Sequence, residues 1–414
     1  MNKGYITADI VKTSLANLNK LTFEVTDACN LQCEYCAYGK LYGNYDERTN
    51  KNLSPGTAKR LIDYLATLWA SDYNMTTEKT VNVGFFGGEP LLNMPVVEEI
   101  VNYIDSLTIP RRRFSYSMTT NGIFLPRYMD FLARHRVKLL ISLDGNEQGN
   151  SYRVNKAGKP IFDQLTRNID LLRERYPDYF DELVNFNSVL HNRNSVEETY
   201  NYIRETYGKV PSITEMNDVG VTPENKEAFA RMQRDLYDSL SESVKALEID
   251  RAMELDSPAL QQVSEYVFEY SGFVYKDYFE LKFGKQPKSI PTGTCIPFSK
   301  GLFVTVNGKI LPCEHIGQLF PLGWVNDTET HIDPDEIVDI YNHLLGKVVR
   351  QCGGCKIADR CNQCIFNLKD LAGAATCTNK YSAEKFKGYT DFSYQYLREN
   401  PTAYYQIMRD FVLE

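Results

Sequence analysis

No run of about eighteen consecutive apolar residues occurs in the 414-residue sequence, so no transmembrane helix is expected. The N-terminus, MNKGYITADIVKTSLANLNK, has no apolar h-region; no signal peptide is expected, and the cytoplasm is the default address. Positive charge is in deficit: 46 Lys and Arg face 54 Asp and Glu, for a formal net charge of -8 and a pI near 5.4. Phosphate backbones demand clustered cations, so nucleic acid is not the expected partner. The run Arg111-Arg112-Arg113 is too short to change this and reads as a solvated loop entering a strand. Low-complexity tracts and evident repeats are missing as well. The 43% hydrophobic content, with 28 Tyr and 21 Phe, instead describes a compact chain of two or three domains.

Cysteine is absent from residues 37–294. The ten that exist fall into two groups: Cys29, Cys33 and Cys36, then Cys295, Cys313, Cys352, Cys355, Cys361, Cys364 and Cys377. Without an export signal, such cysteines read as metal or redox ligands rather than disulfides. Their division implies two cluster-bearing regions separated by a cysteine-free scaffold.

That scaffold alternates strand-like and helical patterns from residue 20 to about 217, the signature of a parallel sheet. The expected strands are 21–26, 81–86, 114–119, 138–143, 183–190 and 212–217. Helical stretches lie between them, one capped by Ser54 with Pro55 at its first position, another closed by Gly208. Six βα units close into a partial TIM-like barrel with a lateral opening, and barrel chemistry sits at the C-terminal strand ends. There the sequence places Cys29, GGEP (87–90), TNG (120–122) and SLDG (142–145). A helical bridge, rich in aromatics that read as core, is expected over 221–290. A cysteine-rich region over 291–380 opens with a hairpin turning at Asn307-Gly308, and a helical tail covers 381–414. The first domain is taken as 1–220.

A 4Fe-4S cluster normally takes four thiolates, so three leave one iron open to a ligand. A zinc knuckle is the competing reading of three close cysteines. The spacing of Cys29, Cys33, Tyr35 and Cys36 resembles the signature of the radical S-adenosylmethionine (SAM) superfamily, Cys-x3-Cys-x-aromatic-Cys. The resemblance implies that SAM chelates the open iron through its amino and carboxylate groups and is cleaved to methionine and a 5'-deoxyadenosyl radical. It further implies that Gly87, Gly88, Glu89 and Pro90 form the site for the SAM amine, with glycine allowing close backbone approach and Glu89 meeting the ammonium. By the same resemblance Tyr35 touches the adenine region, Ser142 the ribose and Arg153 the carboxylate, with Thr120 and Asn121 at the rim. Asn150 and Ser151 stand where many relatives have His-Asp.

The later cysteines run C-x12-G-x4-C, then C-x2-C-x5-C-x2-C, then C, similar to the SPASM auxiliary-cluster domain apart from one residue of spacing. This implies two further 4Fe-4S clusters, one on Cys352, Cys355, Cys361 and Cys377, the other on Cys295, Cys313 and Cys364 with an open iron or a non-cysteine ligand. Structural zinc competes, but seven divides into four plus three, which favours iron-sulfur.

The resemblance implies a maturase that takes hydrogen from a ribosomally made precursor peptide and installs a carbon-carbon, ether or thioether cross-link or a related oxidation. A flavodoxin or ferredoxin type protein would supply electrons. The rival is an anaerobic sulfatase-maturing enzyme forming formylglycine, whose hallmark Asp after the second SPASM cysteine is replaced here by Glu314, a candidate base. An eighth cysteine, usual in that group, is absent. A non-catalytic iron-sulfur electron-transfer protein would need neither GGEP nor Ser142 and Arg153, and a radical SAM enzyme acting on a small molecule is a third reading. Only 28 residues precede Cys29, so leader recognition is expected from the barrel, the helical bridge, the tail or a separate protein.

Overall fold

The computed structural model describes residues 5–76, 78–253, 257–275, 278–283, 290 and 292–410. Residues 254–256, 276–277 and 284–289 of the expected helical bridge, and the ends 1–4 and 411–414, lie outside the described residues.

Six parallel strands follow one another in chain order: β1 Lys20–Thr26, β2 Lys79–Gly87, β3 Arg112–Thr120, β4 Lys138–Ser142, β5 Val184–Leu190 and β6 Ser212–Glu215. Helices separate them, giving the expected α/β partial barrel. Along most of these strands, apolar side chains alternate with polar or small ones; β4, with Leu139, Leu140 and Ile141 in a row, is the exception. Phe23, Val83, Met118, Ile141 and Phe186 are buried in the main core. Against them pack helices such as Pro55–Trp69, which buries Leu61, Ile62, Leu65 and Trp69 on one face. Each such side chain contributes roughly 1.5–3 kcal/mol when fully buried. Ser54 caps that helix by accepting from the Gly56 amide, and Gly208 closes the helix Val196–Tyr207 at φ 72°.

The alternate positions face inward, and there a closed TIM barrel would carry bulky branched residues. Here Lys20, Asn82, Ser117, Lys138, Asn187 and Glu314 line an open lumen of about 1030 Å³. Phe85, Phe86, Met118 and Leu140 share these walls, so the barrel is an open container of mixed polar and apolar lining.

The second half of the chain does not stand apart from this sheet. Strands β7 Leu302–Val304, β8 Lys309–Leu311, β9 Gly323–Val325 and β10 Thr330–His331 extend it to ten strands in the order β10-β9-β8-β7-β1-β2-β3-β4-β5-β6. β7 pairs in parallel with β1, Leu21 opposite Leu302 and Phe23 opposite Val304. The β7–β8 hairpin turns at Gly308, whose φ of 79° suits the Asn-Gly turn. Three-residue strands gave no period long enough to reveal this docking.

Two further expectations meet structural detail. Arg112 is buried rather than solvated, because its guanidinium donates to the Ala16 carbonyl, to Thr76 Oγ1 (2.6 Å) and to Asn74 Oδ1 (3.2 Å). In the helical bridge, Tyr266, Val267 and Phe268 pack with Tyr389, Ala403 and Ile407 of the tail, whereas Phe273 is 84% exposed. The tail forms helices Ala383–Glu399 and Pro401–Asp410. Among the described residues no helix is long and apolar enough to cross a membrane.

Candidate active site

The cysteine loop leaves β1 at its C-terminal end, held by short-range backbone bonds: the Cys36 amide donates to the Cys33 carbonyl (3.3 Å) and the Gly39 amide to the Cys36 carbonyl (2.7 Å). Cys29, Cys33 and Cys36 line one cavity of about 570 Å³. Burial pushes the Cys33 thiol up to about 12 and raises Cys29 as well. Buried thiols that raise one another ionise readily only beside a cation, and bound iron would supply it.

GGEP closes over this loop. A Cβ on Gly87, at φ 139°, would lie 2.1 Å from the Thr26 carbonyl oxygen, and one on Gly88 would lie 2.1 Å from that of Ala28. The glycines are thus demanded by the backbone leading into Cys29. Glu89 is 1% exposed. It caps the short turn Pro90–Asn93 and accepts from the Leu91 amide (3.0 Å), Thr120 Oγ1 (2.7 Å) and the Asn121 amide (2.7 Å). Burial nevertheless pushes its carboxyl up to about 7. Asn121 Nδ2 donates to Asn30 Oδ1 (2.8 Å) and lies 3.9 Å from Cys29 Sγ, tying β3 to the cysteine loop. Ser142 ends β4 opposite Asn187 of β5.

Arg153 and Tyr35 meet at a residue that sequence reasoning did not single out. Asp144, fully buried, accepts from Arg153 Nε (2.9 Å) and Nη2 (2.8 Å), from the Val189 amide (2.9 Å) and from the Tyr35 hydroxyl. Burial alone would raise its pKa, but the Arg153 guanidinium and the hydrogen bonds override that and hold it at about 2. His191, wholly buried, stacks on Tyr35 with ring centroids 5.4 Å apart, its Nε2 3.8 Å from Asp144. The only sequence signal for this network was the polar SLDG at a strand end.

The seven later cysteines gather as two sets. Burial raises Cys352, and Cys361, Cys355 and Cys377 raise it further. Burial likewise raises Cys364, with Cys295 adding to it. Cys313 is pushed up to about 11 by burial, with Glu314 and Cys364 adding and Lys20 opposing. The buried Tyr341 hydroxyl is raised by burial and then by Cys364, Cys295 and Cys313 together. Amide donors two residues on point at Cys29, Cys313 and Cys361, from Leu31 (3.4 Å), His315 (3.3 Å) and Gln363 (3.3 Å). N–H···S bonds of this kind tune cluster potentials. A tetrahedral zinc ion would need thiols about 3.8 Å apart, given Zn–S bonds of about 2.3 Å. Among the described residues the triad Cys313, Glu314 and His315 brings its ligand atoms within 4.8 Å of one another; no trio of thiols does so.

Glu314 pairs with Lys20 at the foot of β1, and both line the lumen. Burial would raise its carboxyl, but the Lys20 ammonium wins and lowers it.

Residues 23–206 match the profile of the radical SAM superfamily. The barrel is a radical SAM domain. The chain is 33% identical over 144 residues to an uncharacterized protein of Methanocaldococcus jannaschii, and 25% identical over 171 residues to the radical SAM cyclopropyl synthase of Paramaledivibacter caminithermalis. It is also 25% identical over 234 residues to the cysteine-type anaerobic sulfatase-maturating enzyme of Clostridium novyi. These alignments cover 34%, 40% and 54% of this chain. They span 44%, 34% and 60% of the relatives' own lengths. Among solved structures, native anSMEcpe with bound AdoMet shares the fold over 95% of this chain and 100% of its own, at a TM-score of 0.60 and 17% identity. The fold likeness therefore runs through the cysteine-rich region as well as the radical SAM barrel.

A radical SAM domain takes SAM and a 4Fe-4S cluster, and the donors that would hold them are three half-buried thiols on one cavity and, close to Cys29, the buried carboxylate of Glu89. Bringing the SAM ammonium to Glu89 would lower the carboxyl again. SAM affinity is therefore expected to rise as pH increases through about 7. Glu89→Gln should weaken binding by roughly tenfold or more, since hydrogen bonds to charged groups contribute about 1.5–3 kcal/mol. Calorimetric titration across pH checks both; a flat profile with unchanged affinity in the variant would remove Glu89 from the site.

Proposed function

We propose that the chain is a radical SAM peptide maturase with a SPASM-type module carrying two auxiliary 4Fe-4S clusters, on Cys352, Cys355, Cys361 and Cys377 and on Cys295, Cys313 and Cys364. The observation that carries this reading is the placement of Glu314 and His315. They adjoin Cys313 yet line the barrel lumen, so the three-thiol auxiliary site looks into the space a substrate must occupy. The working division is a barrel over 1–220, a helical bridge over 221–290, the cluster module over 291–380 and a tail over 381–414.

When bound, SAM and its cluster supply a carbon radical able to take hydrogen from unactivated carbon. The protein's share is placement. The lumen walls orient the peptide, Tyr35 and Ser142 flank the cofactor, and the later cysteines would hold clusters able to accept the electron that the substrate loses. A flavodoxin or ferredoxin type reductant supplies the first electron. Glu314 is the proposed proton acceptor, with Lys20 as its charge partner. The open lumen and the likeness to a radical SAM cyclopropyl synthase and a sulfatase-maturating enzyme support a cross-link or related oxidation of a ribosomally made peptide. Formylglycine formation is the second reading, favoured by the fold likeness to anSMEcpe with bound Cp18Cys peptide. A purely electron-carrying protein leaves the Glu89 site without a purpose.

Co-expression with short peptides encoded beside the gene, followed by mass spectrometry, tests this. A loss of about two hydrogens is expected for a cross-link or desaturation. Glu314→Gln should lower the modified fraction by roughly a hundredfold, the usual scale of a general base. Unchanged turnover in that variant removes Glu314 as the base, and no mass change in any neighbouring peptide contradicts the maturase reading.

A further inference from the structure

Arg48, twelve residues beyond Cys36, has no part in the chemistry described so far. Its Nε and Nη2 atoms are buried and, among the described residues, have no hydrogen-bond partner. The guanidinium carbon lies 4.2 Å from the centre of the Tyr38 ring, which fixes its plane against one wall. Arg48 lines the same cavity as Cys29, Cys33 and Cys36, near enough to Cys29 to oppose the rise of its thiol.

The carboxylates around it hydrogen-bond to other groups, although Glu24 lies near enough for the Arg48 charge to lower its carboxyl. Asp27 accepts from the amides of Thr49 (3.0 Å) and Lys51 (2.6 Å). Asp46 accepts from Lys309 Nζ (2.6 Å) and Asn307 Nδ2 (3.0 Å). Glu24 accepts from the Val306 amide (2.9 Å). Arginine stays charged, and guanidinium N–H groups shielded from water without a hydrogen bond are unfavourable. An anion entering the cavity would find this one ready.

Arg153 shows which anion fits. It grips Asp144 with Nε and Nη2, the side-on fork that matches the two oxygens of a carboxylate. Those two atoms of Arg153 are thereby spent, and the same two atoms of Arg48 are free. We propose that Arg48 is the carboxylate-recognition residue of the cysteine cavity, pairing side-on with a ligand carboxylate. Two sources share that chemistry: the amino-acid end of SAM, and an acidic residue of the peptide substrate.

This inference rests on the cavity being the cluster and SAM site, so iron content and the spectrum of the reduced cluster are measured first. A protein that holds no cluster there contradicts that reading before Arg48 is tested. On loaded protein, Arg48→Gln and Arg48→Lys are compared with the parent for binding of SAM and of decarboxylated SAM. Two tripeptides, Gly-Glu-Gly and Gly-Gln-Gly, are then added to the SAM-bound reduced form.

If SAM is the source, Arg48→Gln weakens it about tenfold or more and erases the preference over the decarboxylated analogue. If the substrate is the source, SAM binds the variant normally, but the spectral response to the acidic tripeptide is lost. Arg48→Lys should fall between, since it keeps the charge and loses the fork. It also serves as the readout should Arg48→Gln fail to hold iron. Parental SAM affinity in the variants, together with no acid-specific response to the tripeptides, overturns the proposal.

Discussion

Replacing Cys29, Cys33 and Cys36 together by Ala will abolish deoxyadenosine formation while leaving about eight of about twelve irons bound, if each thiol set holds a 4Fe-4S cluster. The expectation is this large because no other described thiol faces that cavity. The later cysteines sit in the loops before β7, after β8 and after the helix Pro334–Val349. The hairpin bearing Cys313 is tied to the N-terminal loop through Asp46 and Lys51 rather than through its thiols, and the loops after the helix have anchors of their own. The Cys377 amide donates to Gln351 Oε1 (3.1 Å), and the Tyr381 amide to Cys355 Sγ (3.4 Å). Iron analysis and chromatographic assay of deoxyadenosine check the two halves separately. Continued cleavage, or loss of all iron, would contradict the division into independent sites.

Asp144→Asn will destabilise the fold by about 3–5 kcal/mol, the usual cost of leaving one member of a buried ion pair alone. Arg153 is 5% exposed and has no route to water that would soften the loss. A midpoint of urea unfolding close to the parent's would refute the pairing. Adding Arg153→Leu should recover part of the loss, because it removes the stranded charge. The pH dependence follows from the same pair. A carboxyl held at about 2, below its ordinary 3.8, stabilises the fold at and above pH 4, and that contribution fades as pH falls towards 2. Asp144→Asn should flatten this part of the acid-stability curve.

The barrel was legible because its strands are long and regularly spaced. The stretch expected at 21–26 is Lys20–Thr26, that at 114–119 lies within Arg112–Thr120, and that at 212–217 ends two residues early at Glu215. The motif loops were legible because their chemistry is local in sequence. Contacts made over long sequence separations were not. β7 lies against β1 across nearly three hundred residues, and nothing in a three-residue strand names its partner. Asp144 earns its place only when Tyr35, Arg153 and Val189 converge on it. Arg112 was read as solvated because a triplet of arginines looks like surface charge; three carbonyl and side-chain acceptors draw one of them inside. The glycines of GGEP were expected to allow close approach of a ligand, whereas the close neighbour in the structure is the protein's own backbone at Thr26 and Ala28.

The most direct test is electron paramagnetic resonance on oxygen-free, reconstituted protein reduced with dithionite, before and after SAM is added. An open iron among Cys29, Cys33 and Cys36 predicts a clear change in the spectrum, absent from the triple Ala variant. A spectrum that SAM leaves unaltered in the parent protein would contradict the account.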